Sequence, residues 1–102
     1  MTDTEAMHEA LALAREAADE GEVPVGCIVT DGERIVGRGR NRRETGKSAL
    51  AHAELEAIAG VPHARRLAAV ALHAEVTLGA CPMCAGAIIN ARIPCVVFGA
   101  LT

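Results

Sequence analysis

The stretch Val23 to Arg40, VPVGCIVTDGERIVGRGR, constrains the fold more than any other part of the chain. Two runs rich in β-branched residues flank Asp31-Gly32, a dipeptide suited to a tight hairpin turn. An early antiparallel pair commits the chain to a sheet, and the remaining segments must pack on it or extend it. Upstream, residues 4–19 place Met7, Ala10, Leu11, Ala14, Ala17 and Ala18 at helical spacing, with acids toward the front and Gly21 as a stop. Downstream, AHAELEAIAG (51–60) predicts a helix stopped by Gly60 and Pro62. ARRLAAVAL (64–72) is ambiguous and suits a short helix, and AEVTLGA (74–80) predicts a strand. CPMCAGAIINAR (81–92) predicts a helix with Pro82 in its first turn, and PCVVFGAL (94–101) a last strand. The order is α-β-β-α-(α)-β-α-β. A hairpin followed by a β-α-β unit predicts a mixed sheet with helices on its faces, an α/β fold.

At 102 residues the chain is a single domain, 1–102. Its core must be aliphatic, because 51% of residues are apolar while Phe98 is the only aromatic. The net charge of −3 gives no global attraction for nucleic acid. Locally, Arg34, Arg38, Arg40, Arg42, Arg43 and Lys47 form a basic run, either a solvated strand and loop or a patch that meets phosphate. The N-terminal segment lacks the apolar region of a signal peptide, and no run approaches the roughly 18 apolar residues of a membrane span. The expected location is the cytoplasm, where thiols stay reduced. Closely spaced cysteines then point to metal or catalysis before disulfides.

Two clusters carry the chemistry. His52-Ala53-Glu54 starts one predicted helix, and Cys81-Pro82-Met83-Cys84 starts another. Cysteines three apart at a helix N-terminus point the same way, where free N–H groups and the helix dipole favour thiolate. Two thiolates and one imidazole suit zinc and leave a position for water, the pattern of a catalytic site rather than a closed structural one. Glu54, two residues from His52, is placed to take a proton from that water and pass it on, giving hydrolytic deamination of an amidine-like carbon. The competing readings are a redox pair at Cys81 and Cys84, or a closed site recruiting His73 or Cys95. Cys27 and Cys95 fall in apolar strands and are expected in the core, while His8, His63 and His73 are expected at the surface.

The H-x-E and P-C-x-x-C elements occur with EVPVG (22–26), GRGRNR (37–42), AHAE (51–54) and CPMCAGAI (81–88), then ARI and VVFGA. In that order they resemble the zinc-dependent cytidine and deoxycytidylate deaminase superfamily, above all its bacterial tRNA-specific adenosine deaminases. The resemblance implies a three-layer α/β/α fold, one catalytic zinc per chain, and a homodimer. It implies adenosine-to-inosine conversion at the tRNA wobble position, with the anticodon arm as partner. By position, His52, Cys81 and Cys84 would bind zinc and Glu54 would shuttle protons. Asn41 and the backbone N–H of Ala53 would meet the target base, and Val25 would line its pocket. The chain departs from the family at Gly79-Ala80, where Glu-Pro is usual, and at Ser48-Ala49-Leu50-Ala51, where Pro-Thr is common. It also stops after the fourth predicted strand, where relatives continue, so it is expected to be C-terminally short with an exposed edge strand. Two other readings stand beside the tRNA one. The chain is a deaminase of free guanine, cytosine or a nucleoside, or it is an inactive zinc-binding relative.

Overall fold

A computed structural model describes residues 1–31, 33–62, 73–77 and 81–99. Gly32 of the hairpin turn, His63, the 64–72 stretch and Gly79-Ala80 lie outside the described residues, as does the side chain of His73. The elements run α1 (Asp3–Asp19), β1 (Gly26–Thr30), β2 (Ile35–Arg40), α2 (Ala53–Ala59), β3 (His73–Val76), α3 (Pro82–Asn90) and β4 (Cys95–Phe98). The described strands form one sheet in the order β2-β1-β3-β4. β1 is antiparallel to both neighbours, whereas β3 and β4 are parallel and joined by the crossover that α3 supplies. The predicted hairpin and mixed sheet are both present.

Strand pleat divides the core in two. Cys27 and Val29 face α2 and α3, joining Ala53, Ala57, Val61, Val76 and Ile88 in the larger cluster. Ile28 faces the other way, against Ala6 and Ala10 of α1. The result is three layers, with α1 on one side of the sheet and α2 with α3 on the other. A register shift after the Val29–Gly37 pair makes Val36 the extra residue of a bulge. Ile35 therefore packs toward α1 while its neighbour Val36 packs toward α2.

Small residues set the layer spacing. A side chain at Gly37 or Gly39 would run into the carbonyl oxygen of Ala57 or Ala53, so α2 lies directly on the backbone of β2. α1 approaches β1 as closely at Gly26, through the carbonyl of Ala10.

α1 begins at a capping box. Thr2 Oγ1 accepts from the Glu5 N–H at 3.1 Å, and the Thr2 N–H donates to Glu5 Oε1 at 2.9 Å. It ends in a Schellman motif: Gly21 takes φ +81°, its N–H bonds Ala18 O, and the Glu22 N–H bonds Ala17 O at 2.9 Å.

Two expectations need correction. β1 starts at Gly26 and not at Val23, because Pro24 has no N–H to give a ladder and the Val25 N–H closes a tight turn onto Val23 O at 2.8 Å. Cys95 is half-buried, not core, because β4 lies at the edge of the described sheet. Cys27 is buried and His8 exposed, as expected. Among the described residues, no helix is long and apolar enough to cross a membrane.

Candidate active site

Two helix N-termini meet at the site. His52 is the residue that caps α2 and Cys81 the one that caps α3, and neither side chain makes the usual capping hydrogen bond. Each is left free to turn toward the other helix. Pro82 opens α3 without sacrificing a needed donor, and Cys84 sits one turn in, fully buried. The nitrogen and sulfur donors of His52, Cys81 and Cys84 lie within 4.8 Å of one another. His52 Nδ1 is 3.7 Å from Cys81 Sγ and 3.4 Å from Cys84 Sγ.

These separations test the zinc expectation. Tetrahedral zinc with ordinary bonds to sulfur and nitrogen would set nitrogen and sulfur about 3.6 Å apart. The observed pair straddles that value, so the trio is positioned to hold one metal ion through Nδ1.

The Cys84 thiol departs from the sequence expectation. Burial raises the Cys84 thiol well above the usual range, and the neighbouring Glu54 carboxylate and Cys81 add to the effect. Binding a metal there must displace the proton.

A pocket of about 450 Å³ opens over the donors, within the range of small-ligand sites. Val25, Asn41, His52, Ala53, Glu54 and Cys81 all line it, and Cys84 lies beneath. Val25, Asn41, His52, Ala53, Glu54, Cys81 and Cys84, the residues that the resemblance assigned to the site, are thus brought to one place. Glu54 is only 4% exposed, so its carboxylate faces the pocket and the thiols rather than bulk water. The Ala53 N–H, the first of α2, has no hydrogen-bond partner among the described residues. Asn41 Oδ1 accepts from the Arg43 N–H at 3.0 Å. That bond fixes the amide, so Nδ2 remains as a donor.

Glu22 and Arg43 of the wall were not assigned to the pocket from sequence, Arg43 standing only in the basic run. Glu22 is 7% exposed and accepts the N–H groups of Glu44 at 3.1 Å and Thr45 at 2.6 Å. Those bonds, Thr45's foremost, hold its carboxyl below the usual carboxylate range. Arg43 also lines the pocket, and its guanidinium makes no ion pair among the described residues. The rest of the basic run is partly spoken for. Arg40 makes a two-pronged pair with Glu20 at 2.8 and 3.1 Å, and Arg42 stands 4.0 Å from Glu56.

Residues 1–100 match the model for the cytidine and deoxycytidylate deaminase zinc-binding region. The chain is 42% identical over 97 residues to the tRNA-specific adenosine deaminase of Bacillus subtilis, covering 92% of this chain and 59% of that protein. A solved tRNA:A34 deaminase, from work on A-to-I editing at the wobble position, superposes with a TM-score of 0.86 at 34% identity, covering 97% of this chain and 72% of its own. A guanine deaminase from Bacillus subtilis superposes with a TM-score of 0.87 at 28% identity, covering 99% and 66%. The chain spans at most 60% of the length of the curated relatives compared.

Proposed function

This chain belongs to the cytidine and deoxycytidylate deaminase zinc-binding family, and we propose that it hydrolytically deaminates adenosine to inosine at the wobble position of a tRNA anticodon. The observation that carries this reading is the convergence of His52 Nδ1, Cys81 Sγ and Cys84 Sγ beneath a pocket walled by Glu54 and Asn41. A bound zinc would supply a water that is nucleophilic at neutral pH. Glu54, on the pocket wall, would take a proton from a water adding to the amidine carbon. It delivers that proton to the ring nitrogen and carries a second one, from the hydroxyl now on the carbon, to the departing amino group, so water is consumed and ammonia leaves. The Asn41 Nδ2 donor and the Ala53 N–H bind acceptor atoms of the base. Val25 gives it an apolar wall.

The unpaired guanidinium of Arg43 beside the pocket favours a substrate that brings phosphates, an RNA rather than a free base. The likeness to a guanine deaminase supports the second reading, a free nucleobase in the same pocket. A homodimer and a cytoplasmic location belong to the proposal, on the strength of the family resemblance. The test begins with zinc per chain by elemental analysis. An anticodon stem-loop carrying adenosine is then assayed against free guanine, cytosine and cytidine. Inosine formation that Glu54→Ala abolishes supports the tRNA reading. Turnover of a free base or nucleoside alone replaces it with the second. Zinc without any turnover leaves an inactive zinc-binding relative.

A further inference from the structure

Glu22 is a buried acid that makes no ion pair among the described residues. Its two oxygens are taken up by consecutive backbone N–H groups, those of Glu44 and Thr45. Buried carboxylates are costly unless bonded in this way, and such charge-assisted bonds are among the stronger ones. Glu22 is itself held from behind, since the Schellman motif ties its N–H to Ala17 O at the end of α1.

The segment it grips is the turn that follows Asn41. Within that turn the Gly46 N–H bonds Arg42 O at 2.6 Å, and the Arg42 N–H bonds Ala51 O at 2.8 Å, just ahead of His52. Asn41 is held by its own N–H to Val25 O at 3.0 Å and by its side chain to the Arg43 N–H. The turn thus sets both the direction of the Asn41 amide and the place of Arg43 at the pocket wall. Lys47, with φ +51°, shows that the turn closes at some conformational cost that these bonds must offset.

We infer that Glu22 is a positioning residue: its carboxylate clamps the 42–47 turn so that the Asn41 side chain presents Nδ2, as a donor only, to the substrate base. The inference rests on the deaminase reading for its kinetic consequences, although the clamp itself does not. Glutamine at position 22 could accept only one of the two N–H groups and would set its own donor against the other. Losing an interaction made equally to substrate and transition state raises KM and spares kcat.

The experiment is a double-mutant cycle in the zinc-loaded, full chain, using the adenosine stem-loop and free guanine as substrates. Glu22→Gln is expected to keep its zinc and hold kcat within about twofold, with KM up by about tenfold. Combined with Asn41→Ala it should add nothing to the KM of Asn41→Ala alone, because the two act as a unit. KM effects that multiply, or a Glu22→Gln variant with unchanged KM, overturn the inference. A merely structural Glu22 would lower the melting temperature without that coupling. If Glu22→Gln does not fold, Glu22→Asp keeps the charge with a shorter reach and takes its place in the cycle. If the native protein turns over none of the stem-loop, guanine, cytosine and cytidine, the deaminase reading fails and amide NMR decides the clamp. Faster exchange at the Glu44 and Thr45 amides with a shifted Asn41 side-chain signal supports it. Unchanged spectra refute it.

Discussion

Placing one methyl group at Gly39 tests how the sheet holds the active-site helix. Gly39 pairs with Cys27 and faces α2. A Cβ there would lie 2.6 Å from Ala57 N and 2.7 Å from the Glu56 Cβ, and would collide with the Ala53 carbonyl oxygen. Ordinary contact begins near 3.4 Å, so α2 must lift by about 1 Å. Overpacking costs about 1–3 kcal/mol, and the upper end applies because backbone atoms cannot rotate away. For a domain of this size, about 3 kcal/mol lowers the melting temperature by roughly 12–24 °C. The same movement carries His52 and Glu54, which sit at the start of α2. A displacement of about 1 Å at reacting groups costs on the order of 100-fold in rate. Gly39→Ala is therefore expected to melt early, hold less than one zinc per chain and lose activity. Circular dichroism melts and elemental analysis read the first two. A variant melting within about 3 °C of the native protein with a full complement of zinc would refute the close seating of α2.

Four further outcomes follow from other residues. Gly86→Ala, on α3 with nothing among the described residues within 4 Å of the new Cβ, should stabilise the isolated chain by about 0.5–1 kcal/mol; a drop in melting temperature would mean that this face is covered by something else. Cys84→Ala should lose both zinc and thermal stability, and unchanged melting with full zinc content would remove Cys84 from the ligand set. Thr2→Ala should cost about 1 kcal/mol through the lost cap of α1, seen as a fall of a few degrees in the melt. Because its native carboxyl sits below the ordinary 4.5, Glu22 contributes stability that is fully present above that value and is lost as pH falls through the depressed one; melts between neutral pH and about 3 should show Glu22→Gln losing less than the native chain.

The parts legible in the sequence were those written in spacing. Asp31-Gly32 between β-rich runs announces the hairpin, and Gly21 the end of α1. H-x-E and C-x-x-C mark helix starts whose side chains converge. What the sequence could not display were relations between a side chain and a distant backbone. Glu22 looks like one more acid at the end of an acidic helix, since its partners are amides 22 and 23 residues away that carry no chemical signature. The glycines of GRGR fall in the predicted returning strand with no visible reason in the sequence, and Gly37 and Gly39 are there because α2 leaves no room for a side chain. Pro24 trimmed β1 for want of one N–H. The thiolate expectation at Cys84 weighed the helix end but not burial or the adjoining carboxylate, both of which depend on tertiary packing.

The distance along the chain between the donors has a consequence of its own. His52 and Cys81 are 29 residues apart in sequence and 3.7 Å apart in space. An ion binding both would act as a reversible cross-link. By the loop-closure relation used for disulfides, fastening a loop of that length removes unfolded-state entropy equivalent to roughly 3.5 kcal/mol. That is a large share of what a small aliphatic core can supply. Metal supply would then govern the folded fraction of the chain as well as its chemistry. Chelation would release the two helix ends from each other as it removed the source of the nucleophile.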